Sequence, residues 1–587
     1  MSETSAPNAS TAQARVLIDE LVRGGLTDVV VCPGSRSAPL AFACDNEPRL
    51  RLHVHPDERA AAFVALGLAH VTGRPAAVVV TSGSAVANLH PAVVEADAAG
   101  VPLLLLTADR PPELHDTGAD QTLRQAGMFG GACRWAADVG VAEDHPDAVR
   151  HWRTLAARAL AEAAGLAGPP GPVHLNLPLR EPTVPATDDG RTIGAPFTTP
   201  LATGVPAGLA EPSVRVHRPV RRMIDTDVTG LATRFAAVER GLLVVGSGAH
   251  DHATADAVLA LGRATGWPVL AEGHTAARHR PGALTVWPHL IDHDAFRAAH
   301  RPELVVRVGR ATLTRTLGPL VASASTELVF DAHGRWWDPN RTATELWAAE
   351  PADTLTRIAD TLAMGTSSVW GDGWRDADTA VAGTLTNHLD AGGGHDGARA
   401  VRDVLTRTPV GAHVVVASSM AIRHVDRHTP ARPDLVWHAN RGLAGIDGNV
   451  STALGVATAA AATDHAPVVA IVGDVALLHD TNAWLLEAGV ERMDVTVVVL
   501  DDDGGTIFDL LPPGRFPAQR RLFATPHGRD LGHLAALHRL DTCSVPPEKA
   551  GAAVATTGGR RLVRVPVRPL DAEVSRTLRD AVARTLG

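Results

Sequence analysis

Two short β-branched runs constrain this chain more than any other feature. Val468, Val469, Ile471 and Val472 form the first, which stops at Gly473-Asp474. Leu477, Leu478, Ala483, Leu485 and Leu486 then recur at helical spacing. The second run, 495–500, stops at Asp501-Asp502-Asp503-Gly504-Gly505. Two continuous apolar runs joined by a helix predict a βαβ unit with parallel, buried strands. Parallel strands end at the same edge, so the pattern places Asp474 and Asp502 side by side at the carboxyl edge, where open α/β sheets bind ligands. Two carboxylates beside a Gly-rich loop suit a hard cation such as Mg²⁺, which is commonly shared with a phosphate. The helix expected from Val475 offers free N–H groups to that phosphate.

The same alternation runs through the rest of the chain. Strand-like runs at 28–31, 52–55, 76–80, 102–107 and 173–177 are separated by helical patterns, which predicts a parallel α/β sheet. From about 182 to 220 the chain is rich in Pro, Gly and Thr and lacks periodicity, as a linker does. A second series follows at 242–245, near 269, at 304–308 and at 328–330. Gly246-Ser247-Gly248 follows its first strand, but Asp251 stands where a dinucleotide fingerprint needs its third glycine, so this sheet reads as Rossmann-like without a bound dinucleotide. A third series includes runs at 414–417, 436–439 and 562–567 and ends in a helix at 570–586. At 587 residues the chain is far too long for one core. The expectation is three doubly wound parallel-sheet domains at 1–190, 221–363 and 396–587, with linkers at 191–220 and 364–395.

A net charge of −10 argues against a general nucleic-acid binder. The four cysteines, Cys32, Cys44, Cys133 and Cys543, show no paired spacing, which fits a reducing compartment rather than a structural zinc site. The first residues lack a basic-then-apolar signal pattern, and no apolar run approaches the roughly 20 residues that span a bilayer. A cytoplasmic protein without membrane insertion is expected.

Two further local patterns bear on chemistry. Pro33-Gly34-Ser35-Arg36-Ser37 follows the first strand, and a strand, a Gly turn, a capping Ser and an Arg before a helix make an anion site. Glu58 opens a long Ala-rich helix, where an acid is favoured by the helix dipole.

Several stretches taken together carry a resemblance: PGSRSAPL (33–40), HPDERAA (55–61), TSGSAVANLHPAVVEA (81–96), LLTADRPPEL (105–114), GADQT (118–122), NRGLAGIDGNVSTALGVA (440–457), IVGD (471–474) and GGTIFDLLP (504–512). They resemble the 2-succinyl-5-enolpyruvyl-6-hydroxy-3-cyclohexene-1-carboxylate synthase family, thiamine-diphosphate enzymes of menaquinone biosynthesis. The resemblance spans most of the first and third expected domains and is weaker between them.

Membership of that family implies a subunit with a pyrimidine-binding, a central and a diphosphate-binding domain. It also implies a homodimer or homotetramer with each cofactor between two subunits. By the same resemblance, Glu58 is the glutamate that bonds the aminopyrimidine ring, and Ser82 and Gly83 lie against that ring. Ile446 is implied as the apolar wedge that bends the cofactor. Asp474, Asp502 and the Gly504 carbonyl are implied to hold Mg²⁺ or Mn²⁺ on the diphosphate, with Gly473, Gly505 and Ser419 also at the cofactor. The family reaction decarboxylates 2-oxoglutarate and adds the succinyl unit to isochorismate. Both substrates are dianions, and the planar guanidinium suits them. Arg36, Arg110, Arg315, Arg423 and Arg441 match or lie close to the family's substrate arginines, beside Ser35, Gln121, Ser419, Ile507 and Phe508. Glu58, Arg36, Arg423 and Arg441 are the residues expected to act in catalysis.

Three departures stand out. The family usually has Asn where Asp502 stands. The gap after Asp474 is one residue longer than its pattern, which leaves Asp501 open as the alternative ligand. Asp120 replaces an expected Asn beside Gln121, where an acid opposes a substrate carboxylate unless an arginine pairs with it. Two other readings are a different thiamine-diphosphate 2-oxo acid decarboxylase or carboligase, and a non-catalytic relative. A nucleotide-dependent oxidoreductase is disfavoured by the broken glycine fingerprint.

Overall fold

A computed structural model describes residues 6–185, 194–205, 211–248, 251–362, 368–392, 394–486, 493–570 and 572–587. Parts of both expected linkers, 191–193, 206–210, 364–367 and 393, lie outside the described residues. The chain forms three parallel sheets with flanking helices, an α/β fold, and divides into two compact units. The first comprises Met1–Pro219, Gly442–His465 and Asp480–Met493; the second comprises Val220–Arg441, Ala466–His479 and Asp494–Gly587.

In the first unit, β1 (Asp28–Val31), β2 (Arg51–Val54), β3 (Ala76–Val80), β4 (Leu103–Asp109), β5 (Trp135–Asp138) and β6 (Pro172–Pro178) lie in the order β2-β1-β3-β4-β6-β5, all parallel. Every residue of β1, β3, β4 and β6 is buried, as continuous apolar runs require of strands covered on both faces. One face packs Val29, Val79, Leu106 and Leu175 against Leu17, Leu21 and Trp152 of helices Ala9–Arg23 and Ala148–Ala163. Helix Glu58–Thr72 packs on β1 and β3 and also receives helix Asn449–Ala462. That crossing is close because both helices bring glycine to it. A Cβ at Gly67 would lie 2.2 Å from the Thr452 carbonyl oxygen, and one at Gly455 would lie 2.1 Å from that of Val64.

The second unit holds two sheets. β7 (Gly241–Val245), β8 (Val269–Ala271), β9 (Leu304–Val308), β10 (Thr326–Phe330) and β11 (Glu345–Trp347) run in the order β11-β10-β9-β7-β8. The glycine pair after β7 is occupied by the protein's own chain: Ser247 and Arg310 exchange backbone hydrogen bonds, and a Cβ at Gly246 would meet the Arg310 carbonyl oxygen at 2.3 Å. The other sheet contains β12 (His413–Val416), β13 (Val436–His438), β14 (Val468–Gly473), β15 (Val495–Asp501), β16 (Asp541–Ser544) and β17 (Arg560–Pro566), ordered β13-β12-β14-β15-β17-β16.

Three expectations need correction. The stretch after β14 is not one helix: it is helix Asp474–His479, then a 3-10 turn over Thr481–Leu485. The break falls at Asp480, whose buried carboxylate accepts the Ser451 N–H and hydroxyl at 2.7 and 2.8 Å. Ser37 does not cap the helix Ala38–Asp45; its hydroxyl donates to the Gly34 carbonyl at 3.0 Å. Finally, β14 and β15 pair Gly473 with Leu500. Asp474 therefore stands level with Asp501, the last residue of β15, and Asp502 follows one residue beyond, whereas the sequence pattern sets Asp474 beside Asp502.

Candidate active site

In the first unit, the candidate residues sit on loops at the carboxyl ends of β1, β3 and β4. The Arg36 guanidinium donates to the Leu179 carbonyl at 2.8 Å and pairs with Glu181 at 3.1 Å. Burial, and then the charge of nearby Arg110, lower its pKa, so these two cations face a common space. Ser35, on the same loop, is exposed. Arg110 donates through Nε to the backbone carbonyl of Asp120 at 3.2 Å, so the bond ties down the loop and leaves the exposed Asp120 carboxylate out of it. The Ser82 hydroxyl donates to the Gln121 carbonyl at 3.0 Å, and the Gln121 amide returns a bond to the Ser82 carbonyl at 3.3 Å. Gly83 N–H is taken by the buried Gln125 side chain at 2.8 Å. The loops after β3 and β4 are thus fastened together.

Glu58 is half-buried at the first position of its helix, and Asp57 caps that helix by accepting the Ala60 N–H at 3.0 Å. Burial pushes the Cys32 thiol at the end of β1 well above its ordinary range, and the charges of Glu58 and Asp57 raise it further. Glu58 therefore lies within electrostatic reach of the β1 edge. Ile446 is 39% exposed at the tip of a braced loop. Glu95, itself buried, accepts the backbone N–H groups of Gly442 and Leu443 at 2.6 Å each. The Asn449 amide donates to the Ile446 carbonyl at 2.8 Å. Neither Glu95 nor Asn449 stands out from sequence, although both lie inside the stretches that carry the resemblance.

In the second unit, Asp474 is a buried acid gathering donors. Val475 N–H reaches one oxygen at 2.6 Å, Gly504 N–H reaches the other at 2.8 Å, and His527 Nε2 lies 3.1 Å from that same oxygen. Burial still raises its pKa, against those hydrogen bonds. Asp501 is buried and pairs with Arg564 at 2.6 Å. Asp502 hydrogen-bonds the Thr506 hydroxyl, and its pKa is pushed up to about 7, first by burial and then by the charges of Asp474 and Asp501 opposing the Thr506 bond. Gly504 adopts φ 138°, and a Cβ there would meet the Ala524 carbonyl oxygen at 2.3 Å, so glycine is required where the loop is pressed flat. Gly505 N–H donates to that same carbonyl at 2.7 Å. Gly473 is the last residue of β14.

Three carboxylates held this close, with one protonating near neutrality, are the donor set a divalent cation relieves. The residues present fit such an ion. Ligand atoms of Asp474, Asp501 and His527 all lie within 4.8 Å of one another, the one such group among the described residues. His527 carries no motif signal in the sequence.

The arginines of this unit also converge. Burial lowers the pKa of Arg423, and Arg441, Arg315 and Arg427 lower it further, so four cations share one neighbourhood. Arg423 donates to the Ser419 carbonyl at 2.7 Å from the first turn of helix Met420–His428. Ser419 itself holds φ 71°. Arg315 is exposed. Ile507 and Phe508 are half-buried on a 3-10 turn, with the Phe508 ring 5.6 Å from that of Phe523.

Residues 12–128 match the family model described as thiamine pyrophosphate enzyme, N-terminal TPP binding domain, and residues 418–530 match the corresponding C-terminal TPP binding domain. The 2-succinyl-5-enolpyruvyl-6-hydroxy-3-cyclohexene-1-carboxylate synthase of Thermobifida fusca is 42% identical, over 98% of this chain and 99% of its own. The synthase of Saccharopolyspora erythraea is 40% identical over 95% and 96%, and that of Myxococcus xanthus 39% identical over 100% and 99%. This chain belongs to the 2-succinyl-5-enolpyruvyl-6-hydroxy-3-cyclohexene-1-carboxylate synthase family. In this chain, the N-terminal match contains Arg36, Glu58, Ser82, Gly83, Arg110 and Gln121, and the C-terminal match contains Ser419, Arg423, Asp474 and the 501–508 loop. Arg315 falls outside both. No described helix is long and apolar enough to cross a membrane.

Proposed function

We propose that this protein joins 2-oxoglutarate to isochorismate with loss of CO₂, giving 2-succinyl-5-enolpyruvyl-6-hydroxy-3-cyclohexene-1-carboxylate. The observation that carries the reading is topological. Asp474, Arg423 and Arg441 follow the carboxyl ends of β14, β12 and β13, and Asp501 is the last residue of β15, all parallel strands of one sheet, where an open α/β sheet takes its ligand.

Thiamine diphosphate, when bound, supplies the electron sink that accepts the pair released with CO₂. The rest of the chemistry falls to this chain's residues. Asp474, with Asp502 or Asp501 and the Gly504 carbonyl, would hold Mg²⁺ or Mn²⁺ against the diphosphate. Gly473, Gly505 and Ser419 would line that end, and Ile446 would wedge the cofactor. Glu58 would hold a proton at its carboxylate against the aminopyrimidine ring, the placement that general acid–base work requires, with Ser82 and Gly83 beside it. Arg36, Arg110, Arg315, Arg423 and Arg441 would bind the carboxylates of two dianions, and the half-buried Ile507 and Phe508 would wall the site. Ser35 and Gln121 would add polar contacts. Because Arg110 grips the Asp120 backbone, its acid side chain remains a local negative charge that the arginines must outweigh.

We further infer a cytoplasmic homodimer or homotetramer in which Glu58 of one subunit serves the cofactor anchored by another. The test is the purified protein with Mg²⁺ and thiamine diphosphate: 2-oxoglutarate and isochorismate should disappear together as CO₂ is released, and neither should without the cofactor. Consumption of 2-oxoglutarate that ignores isochorismate would instead identify a simple decarboxylase.

A further inference from the structure

Glu272 lies at the carboxyl end of β8, in the central sheet, and is 1% exposed. One of its oxygens accepts two backbone N–H groups, from Thr312 and Leu313, at 2.6 Å each. Its other oxygen, Oε2, is buried and has no hydrogen-bond partner among the described residues. Arg441 acts on this carboxylate electrostatically, and Arg441 Nε is likewise buried without a hydrogen-bond partner among the described residues. The loop Glu272 grips carries Arg310, whose guanidinium donates to the Arg441 carbonyl, and Arg315, which acts on Arg423. A second buried acid braces the same place: Asp426 accepts the Gly273 N–H at 2.8 Å and the Thr314 hydroxyl at 3.2 Å. Asp426 also lies on the helix that bears Arg423.

We propose that Glu272 is a positioning residue for the substrate arginines: it fixes the loop 309–315 through two amide groups and presents the negative charge that faces Arg441. The central domain then has a defined task, which is to set the geometry and net charge of the anion-binding cluster. The inference deepens the proposed function and rests on it. Burial and the charge of Asp426 push Glu272 up to about 7, while Arg441 and the two N–H groups pull it down. Arg278 and Arg427 face Asp426 in turn. Below that pH the carboxyl is neutral and the arginine cluster carries its full positive charge. Above it, the carboxylate offsets Arg441 and anion binding weakens.

The test uses the holoenzyme and glutarate, a dicarboxylate with no 2-oxo group to react, titrated by calorimetry from pH 6 to pH 8. Wild type should bind glutarate more weakly above neutrality, with a step near pH 7. Glu272→Gln keeps an oxygen for both N–H groups, so it should melt like wild type but bind glutarate with no such step. Glu272→Ala should weaken glutarate by tenfold or more, and Gln at the position should restore most of that loss. A step that survives in Glu272→Gln, or wild-type affinity in Glu272→Ala, would overturn the assignment. Glutarate binding without any turnover of 2-oxoglutarate would overturn the proposed reaction instead and leave this assignment standing.

Discussion

Gly504 donates its backbone N–H to Asp474 at 2.8 Å, and this bond ties the loop after β15 to the end of β14. It links the two halves of the acidic motif directly, and His527 completes the arrangement from a segment beyond them. His527 Nε2 lies 3.1 Å from a carboxylate oxygen of Asp474, and we read it as an outer partner of that ligand. Such partners typically tune metal affinity by about 10–100-fold. We expect His527→Ala to weaken Mg²⁺ by about that factor, read by titrating Mg²⁺ in the presence of thiamine diphosphate. Asp474→Asn should weaken it further, and unchanged Mg²⁺ affinity in both would remove this site from the metal.

Glu95 supports the loop that carries Ile446 through the N–H groups of Gly442 and Leu443. A buried amide left unpaired costs about 1–3 kcal/mol. Glu95→Ala should therefore lower the stability of the first unit by roughly that amount for each N–H that water does not reach, and raise the concentration of thiamine diphosphate needed for half-maximal activity. Glu95→Gln, which retains one acceptor oxygen, should fall between. Differential scanning calorimetry and a cofactor titration read the two effects separately.

Asp28, at the start of β1, is held by Arg51 through hydrogen bonds of 2.8 and 2.6 Å and lies 3.2 Å from His53. Burial alone would raise its pKa, but the bonds from His53 and Arg51 bring it down to about 2 from an ordinary 3.8. A depressed acid stabilises the fold above its unfolded pKa and loses that contribution as pH falls through the folded value. Because Arg51 is 41% exposed, screening reduces the gain. Asp28→Asn should cost on the order of 1–2 kcal/mol at pH 7. The gap from wild type should close between about pH 4 and pH 2, which urea denaturation across that range would show.

Strands buried on both faces, such as β3, β4 and β14, are legible in the sequence because burial demands an unbroken apolar run, and the half-buried edge strands β2 and β13 are legible as well. β5, β11 and β16 are not legible. Each is the last strand of its sheet, half-buried or exposed along its length, and so carries no such run. The candidate residues at strand ends are legible for the same reason, since a run that stops at Gly-Asp or Gly-Ser marks its own edge. Glu95, Glu272 and His527 are not, because each reaches its partner across the fold and sits in no local pattern. The break at Asp480 is hidden as well: Leu477, Leu478, Leu485 and Leu486 keep helical spacing across a turn whose Asp480 carboxylate is bonded by Ser451, distant in sequence.

We propose that Glu58 and Asp474 belong to one working site supplied by two copies of the chain. Glu58→Gln and Asp474→Asn should each be inactive alone, since each lacks one half of every site. Co-expressed as a mixed oligomer, they place an intact Glu58 opposite an intact Asp474 in one site of each hybrid pair, and two-substrate turnover should return to roughly a quarter of wild type. A verified hybrid that stays as inactive as its parents would contradict the account.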